Sequence, residues 1–328
     1  MKATAKSPSN IAFIKYWGKA DPKTRIPQNN SISMTLSDLY SICTVDFDRK
    51  YKKDEIEFLK EKIVQPEEIK RIKAVLDRVR RLAKTDLKAR VVTMNNFPKA
   101  TGIASSASGL SAVTLAAAKS IGLDLSKMEL SRLARLASGT ASRSISDGFV
   151  EWEKGTNKNN SYARQIFPPD WWDLRDVVAI VTSKMKKIKS TEGHALADTS
   201  PFQKIRIAGM DQKIKIIKKA IKDRNFSTFG HIVEAECLSM HAVCLTSRPP
   251  ILYWNPVTVE IMRKIRLWRA NKEMEAFFTI DAGPTVHIIC EGKNSRKLVN
   301  KLKGIKGIQR LSVNKPALGV RAIKKHLF

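Results

Sequence analysis

Three stretches of this chain carry residues whose types and spacing could do chemistry. Lys99-Ala-Thr-Gly-Ile-Ala-Ser-Ser-Ala-Ser-Gly109 gathers small residues and hydroxyls between a predicted strand and a predicted helix. Small residues there let backbone N–H groups approach an anion, and a helix N-terminus adds a favourable dipole. Ser105, Ser106 and Ser108 add hydroxyls suited to phosphate oxygens or Mg²⁺. The lysine-then-Ser/Thr ending of a P-loop is missing, and the same composition also serves a helix that must pack closely. Asp281, in Thr279-Ile-Asp-Ala-Gly-Pro284, reads either as a turn residue before Gly-Pro or as a carboxylate that takes a proton. Arg143, in Ser138-Gly-Thr-Ala-Ser-Arg-Ser144, follows a predicted helix stop. A guanidinium there is either a helix-end charge or a planar fork for an acid.

Other chemistry-bearing groups read more plainly. His241 lies between Cys237 and Cys244. If that segment is helical, seven residues span ~10.5 Å, too far for a disulfide. Buried packing is the better reading of all three. Cys43 and Cys290 complete the cysteines, with no CxxC pair and no zinc spacing. Lys184, Lys186, Lys187 and Lys189 form a basic run beside Ser190, read as a solvated loop or a phosphate-steering rim.

The elements that must position these groups follow from periodicity. Residues 41–47 alternate as a half-buried strand does, and 91–94 form a second short strand. Residues 66–83 read as a helix with Ile69, Ile72, Leu76, Val79 and Leu82 inward. Lys70, Arg71, Lys73, Arg78, Arg80 and Arg81 fill its other face. Residues 110–121 form a largely buried helix. The next helix is capped by Ser126 and Glu129 and lined by Leu130, Leu133, Ala134 and Ala137, with Gly139 as its stop. Residues 176–181 are a buried strand. Residues 202–223 and 257–272 are helical, and 276–280 and 286–290 are strands around a Gly-Pro turn. Irregular alternation of strands and helices favours α/β or α+β layers.

Composition bounds the rest. The 328 residues suggest two domains or one large one, and 43% apolar residues supply a core. Neither a disordered nor a collagen-like chain fits. No apolar run reaches the ~18 residues that span a bilayer, and residues 1–10 lack the apolar core of a secretory signal. The cysteine usage suggests a reducing cytoplasm. The formal charge of +29 permits an anionic substrate, an acidic partner or nucleic acid, or simply a basic surface. No RNA-binding signature or zinc-finger spacing accompanies it.

Taken with Ser7-Pro-Ser-Asn-Ile-Ala-Phe-Ile-Lys-Tyr-Trp-Gly-Lys19 and Ile26-Pro-Gln-Asn-Asn-Ser-Ile-Ser33, the three opening stretches acquire a common meaning. So do Gly148-Phe-Val-Glu-Trp152, Ser190-Thr-Glu-Gly193, Thr199-Ser-Pro201 and Ser239-Met-His-Ala-Val-Cys244. The order IKYWGK, SSASG, ASRS, DAGP resembles the diphosphomevalonate decarboxylases. These are ATP-dependent enzymes of the galactokinase, homoserine kinase, mevalonate kinase and phosphomevalonate kinase superfamily. The resemblance runs from about Lys6 to beyond Pro284, nearly the whole chain.

The resemblance implies a two-domain small-molecule-kinase-type fold with its active site in the interdomain cleft. An ATP-binding, ribosomal-protein-type domain would occupy 1–182, and a ferredoxin-like α+β domain 183–328. ATP phosphates would meet Gly102, Ala104, Ser105, Ser106, Ser108 and Gly109, with Ser105 a contact for Mg²⁺. Asp281 would be the catalytic carboxylate, Arg143 would hold the substrate carboxylate, and Asn10 would position that arginine. Tyr16 and Lys19 match diphosphate-binding positions, and Ser138, Thr140 and Ser190 match further polar contacts. The implied reaction converts mevalonate 5-diphosphate and ATP to isopentenyl diphosphate, ADP, phosphate and CO₂. A phosphomevalonate decarboxylase or a mevalonate 3-kinase of the same family is the alternative. A basic nucleic-acid-binding protein is a remote one. A cytoplasmic homodimer with no membrane or specific nucleic-acid partner is expected. Two departures from the family pattern bear on substrate preference. Thr285 follows Pro284 where asparagine is usual, and His194 follows Gly193 where methionine is usual.

Overall fold

The computed structural model describes residues 1–59, 61, 64–97, 105–182 and 188–328, and only the backbone of Ser105. The first half runs β1 (Lys2–Ile14), β2 (Lys19–Asp21), β3 (Ile26–Pro27), β4 (Ser31–Asp48), β5 (Glu55–Phe58), α1 (Pro66–Ala83), β6 (Lys88–Asn95), α2 (Ser105–Ser120), α3 (Lys127–Ala137), β7 (Phe149–Trp152) and β8 (Ala163–Phe167). The second runs β9 (Leu174–Ile180), α4 (Ser190–Leu196), α5 (Gln203–Ala208), α6 (Met210–Lys222), α7 (Phe226–Thr246), α8 (Pro256–Ala270), β10 (Phe277–Ile280), β11 (Val286–Glu291), α9 (Ser295–Lys303), β12 (Arg310–Asn314) and β13 (Arg321–Ile323). A 3₁₀ turn, Gly139–Ser144, links α3 to β7.

Two sheets organise these elements. A seven-stranded sheet has the order β13-β1-β4-β6-β5, with β7 on β4 and β8 on β7. A four-stranded sheet has the order β10-β11-β9-β12. Only β5 and β6 pair parallel among the described strands of these sheets. One core packs α1, α2 and α3 on the first sheet through Val45, Val79, Val113 and Leu133. A second lies between the sheets and against α6 and α7, through Phe13, Met34, Val178, Ile217 and Phe229. A third packs α8 and α9 on the far face of the second sheet through Ile261, Ile288 and Leu298. These layers are the mixed α/β fold that the sequence implies.

The expected boundary after residue 182 does not coincide with the sheets. Strand β9 pairs with β11 and β12, so it joins the second sheet. Its near-continuous apolar run suits a central strand covered on both faces, and such a run carries no sign of which sheet it enters. Strand β13 crosses the other way, returning to pair with β1.

Helix boundaries follow capping chemistry. Helix α1 starts at Pro66, with Gln65 and Glu68 forming a reciprocal cap. Leu82 departs from the expected inner face, being 55% exposed, whereas Arg80 is buried. Arg80 pairs with Asp54 and with Asp77 at 2.7 Å, which the apolar period cannot register. Ser126 and Glu129 form the expected box on α3. Gly139 is not that helix's stop: Ser138, extended at φ −153°, ends it, and Gly139 opens the next turn. A Cβ on Gly139 would lie 2.7 Å from the Tyr16 ring and 2.8 Å from Trp152, so close packing selects this glycine. The helix expected over 202–223 is two helices that meet at Gly209.

Candidate active site

A cavity of about 250 Å³ opens between the end of β1, α1, the start of α2, the 139–144 turn, α4 and the β10–β11 turn. Tyr16, Lys19, Ser106, Gly109, Ser138, Thr140, Arg143, Ser190 and Asp281 all line it. Residues scattered from 16 to 281 thus converge on one concave surface. Gly102, Ala104, Lys184, Lys186 and Lys187 lie outside the described residues, as does the side chain of Ser105.

Asp281 stands where β10 ends. Lys15, 1% exposed, donates Nζ–H to its Oδ1 at 2.5 Å, and the carboxylate side chain is 19% exposed. Burial pushes the Asp281 carboxyl up, but Lys15, with help from His287 and Arg143, outweighs it and holds the group below the ordinary aspartate value. The carboxylate is therefore charged at neutral pH and faces the cavity. Helix α7 braces this strand end. The Ile280 N–H donates to Cys237 Sγ at 3.1 Å, and His241 Nε2 lies 3.3 Å from the Ile280 carbonyl. Burial drives His241 down to about 3, so its ring is neutral and donates. The four cysteines are buried thiols outside any disulfide, and the Cys237–His241–Cys244 segment packs inside α7 as read from the sequence. The Thr258 hydroxyl donates to the Pro284 carbonyl at 2.7 Å and fixes the turn from α8.

Arg143 is 1% exposed, at the end of the 3₁₀ turn. Its Nε donates to Asn10 Oδ1 at 3.2 Å and its Nη1 to Ser31 Oγ at 2.8 Å. Asn10 in turn donates to Ser144 Oγ at 2.8 Å and to the Thr140 carbonyl at 3.2 Å. Asn10 is thus a buried brace behind the arginine. Burial lowers the Arg143 guanidinium to about 10, with Asp281 and Tyr16 opposing, so it stays charged at neutral pH. Beside it runs a row of hydroxyls: Ser106 Oγ to Ser138 Oγ at 3.4 Å, and Ser138 Oγ to Thr140 Oγ1 at 3.1 Å.

Ser108 departs from the expected phosphate contact. It is fully buried, and its Oγ meets Ser41 Oγ of β4 at 2.7 Å. It points into the helix–sheet interface because it lies on the packed face of α2. Ser111 does the same, meeting Ser7 of β1 at 2.5 Å.

Cations outnumber carboxylates on the cavity wall, where Glu67 and Glu68 also stand. Lys19, Arg25, Arg71 and Lys189 line it, and Arg71 Nη2 donates to Thr191 Oγ1 at 2.8 Å, joining α1 to α4. Burial, with Arg25 and Arg71, lowers the Lys19 ammonium to about 8. Tyr16 sits under the mouth, its ring 4.6 Å from Trp152 and 4.1 Å from His194. Its hydroxyl is buried with no hydrogen-bond partner among the described residues.

The sequence reading quotes Lys15 within a motif without a role, and it missed Arg25, Arg71, Thr191 and His194 as cavity residues. Arg71 was readable only as part of the polar face of α1. Lys15 finds its partner 266 positions away, so no local pattern marks it.

Comparisons with known proteins bear on the whole chain. Residues 7–163 match the diphosphomevalonate decarboxylase-like N-terminal domain, and residues 176–316 match the mevalonate 5-diphosphate decarboxylase C-terminal domain. The chain is 36% identical over 318 residues to diphosphomevalonate decarboxylase of Candida albicans, covering 92% of this chain and 87% of that one. It superposes on the crystal structure of mevalonate diphosphate decarboxylase from Staphylococcus aureus with a TM-score of 0.92, at 35% identity and 98% coverage of both chains. It superposes equally, at 0.92, on MDDEF in complex with MVAPP, AMPPCP and magnesium, at 35% identity and 99% coverage of both chains. Two matched domain families spanning the chain, over a cavity that gathers the same motifs, lead to one assignment: the chain belongs to the diphosphomevalonate decarboxylase family.

Proposed function

We propose that this enzyme decarboxylates mevalonate 5-diphosphate in an ATP-dependent reaction that yields isopentenyl diphosphate, ADP, phosphate and CO₂. The observation that carries the reading is the meeting of Asp281, Arg143 and the start of α2 on one cavity whose cations outnumber its carboxylates. The substrate is a 3-hydroxy-3-methyl acid with a diphosphate at its far end. Its hydroxyl leaves poorly as hydroxide, and no carbonyl is available to accept the electrons of the breaking C–C bond. ATP converts the hydroxyl into a phosphate. That phosphate then departs, positive charge builds on the tertiary carbon, and the electrons freed by CO₂ loss form the alkene.

Each residue has a physical task in this scheme. Asp281 orients the tertiary hydroxyl and takes its proton. A strongly basic carboxylate is not needed, because phosphoryl transfer passes through a loose transition state in which positioning dominates. Lys15 keeps Asp281 ionised and aimed. Arg143, braced by Asn10 and Ser31, offers its remaining N–H groups to the substrate carboxylate. Ser138, Thr140 and Ser190 add hydroxyl contacts, and Lys19, Tyr16 and Arg71 receive the diphosphate. The segment 102–109 receives the ATP phosphates, with Ser106 and Gly109 its members on the cavity wall.

Among the described residues no group of three or more His, Cys, Asp or Glu could hold a metal ion. The Ser106 hydroxyl and the Asp281 carboxylate both line the cavity and are hard oxygen donors, which fit a hard cation that arrives with a nucleotide and keeps several waters. Ser105 and Ser106 are the residues that would touch Mg²⁺. When bound, it offsets charge on the transferring phosphoryl group.

The two halves act as domains that close on the substrates, the first ending before Leu174. The assembly is a cytoplasmic homodimer. No helix among the described residues is long and apolar enough to cross a membrane.

The test offers mevalonate, its 5-phosphate and its 5-diphosphate with ATP and Mg²⁺, measuring ADP and CO₂. Equal ADP and CO₂ from the diphosphate alone is the expected result. CO₂ from the monophosphate assigns the other decarboxylase, and ADP without CO₂ assigns a kinase.

A further inference from the structure

The turn that carries Lys19 is held from the opposite half of the chain. Gly18, at φ +90°, bends the backbone between Trp17 and Lys19. Its N–H donates to His194 Nδ1 of α4 at 3.1 Å. On the other side of the same bend, the Trp17 carbonyl accepts from Gln203 Nε2 of α5 at 3.0 Å. The His194 ring lies 4.1 Å from Tyr16 and 4.6 Å from Trp17, tilted 36° and 32°. Gly193 lets the helix approach this closely, because a Cβ there would stand 2.6 Å from the Trp17 ring.

From this geometry we infer that His194 is a positioning residue for the diphosphate end of the substrate: its neutral ring clamps the Gly18 amide and so fixes Lys19, and protonation of the ring opens the clamp. The inference rests on the reading of Lys19 as a diphosphate contact. An imidazole nitrogen accepts a hydrogen bond only when it carries no proton, so the observed bond requires the tautomer with hydrogen on Nε2. Protonation places an N–H on Nδ1 against the Gly18 N–H. Two donors then face one another in a buried place, and the bend loses its anchor. His194 also occupies the face of α4 that bears Ser190 and Thr191, four and three residues earlier. The clamp therefore sets α4 and the Lys19 turn at one spacing, as recognition of a diphosphate by groups from both requires.

Charged and titratable groups stand on the elements that meet around the ring. Tyr16 precedes Gly18 by two residues and Lys19 follows it, while Arg25, Glu67, Glu68 and Arg71 line the same cavity. Lys189 and Glu192 belong to or cap α4 itself. Tyr253 packs edge-on to Trp17. Asp198 bonds to Gln28, the partner of Gln203. None of these accepts the Gly18 N–H, which is the feature that makes the ring's own proton decisive.

The experiment measures kcat and KM for mevalonate 5-diphosphate, at saturating ATP, from about pH 5 to pH 8. The unaltered enzyme, His194→Asn and His194→Leu are compared at each pH, which cancels the substrate's own titration. Asparagine places Oδ1 where Nδ1 stands and does not titrate. His194→Leu is expected to raise KM about tenfold at neutral pH with kcat little changed. His194→Asn is expected to match the unaltered enzyme at neutral pH and to have the lower KM as pH falls. The inference is overturned if His194→Leu leaves KM unchanged, or if the ratio of KM between His194→Asn and the unaltered enzyme is the same at all pH values. It is equally overturned if the unaltered enzyme gains affinity over His194→Asn on acidification, since the ring would then serve as a cation. Absence of turnover by the unaltered enzyme would instead strike at the proposed function.

Discussion

Asp281 and Lys19 show how one cavity assigns opposite electrical tasks to its residues. Asp281 is held ionised by a buried ammonium, so proton uptake by its carboxylate depends on placement more than on basicity. Asp281→Asn keeps the shape and a hydrogen-bond acceptor for Lys15 but cannot take the proton. Turnover is expected to fall about a thousandfold with substrate KM within a few-fold. A loss confined to KM in steady-state assays would remove Asp281 from the chemical step. Lys19 is a half-buried cation whose ammonium is lowered to about 8 by burial and by Arg25 and Arg71. A bound diphosphate favours the charged form, so its pKa rises in the complex and binding above about pH 8 takes up a proton. The KM for the diphosphate substrate is therefore expected to be flat below pH 8 on this group's account and to rise above it. Lys19→Arg removes that rise, because a guanidinium does not titrate there. Comparing the two KM profiles between pH 7 and pH 10 checks the sign.

Elements were legible where capping and period agree, and obscure where polar residues are buried on purpose. Helix α1 has the bounds its sequence suggests, because Pro66 and the Gln65–Glu68 cap mark its start and the last turn ends at Ala83. Strand β1 went unread although it carries Asn10. It is buried on both faces for most of its length, so no alternation survives, and Ser7, Ser9 and Asn10 look like a loop. Those small hydroxyls are inside because α2 packs directly on the strand, pairing Ser7 with Ser111. The same packing withdrew Ser108 from the cavity. Tyr16, Lys19, Arg143 and Asp281 were legible as a set only through motif order, since their spacing along the chain says nothing of their distance. Capping can also be separated from catalysis. Ser126→Ala removes the exposed N-cap of α3 and is expected to lower stability by about 1 kcal/mol, with kcat and KM unchanged. Denaturant titration beside kinetics tests this, and a comparable loss of turnover would mean that α3 transmits its position to Arg143.

Across the whole molecule, 60 Lys and Arg face 31 Asp and Glu, and both substrates of the proposed reaction are polyanions. A net-cationic molecule whose cavity bears more cations than carboxylates raises the encounter rate of such ligands, an effect screened by salt. Raising ionic strength from 0.01 M to 1 M shortens the screening length from about 30 Å to about 3 Å. The expected result is a fall in kcat/KM of about tenfold with kcat nearly constant. A salt-independent kcat/KM would mean that the charge serves something other than capture. Inside, the charges are local and structural. Arg206 bonds both Glu236 and the carbonyl of Lys15, tying α5 and α7 to the residue behind Asp281.

Strand β13 gives the molecule one more property. Residues 321–323 lie hydrogen-bonded along residues 4–6, and Lys2 Nζ reaches the Phe328 carbonyl at 2.8 Å. The polypeptide is thereby buckled into a loop whose two ends share one sheet. Cutting it in the 168–173 stretch between β8 and β9 would leave the pieces still fastened at the far side. Neither half can melt without first unfastening the other, so heat should find a single cooperative unit.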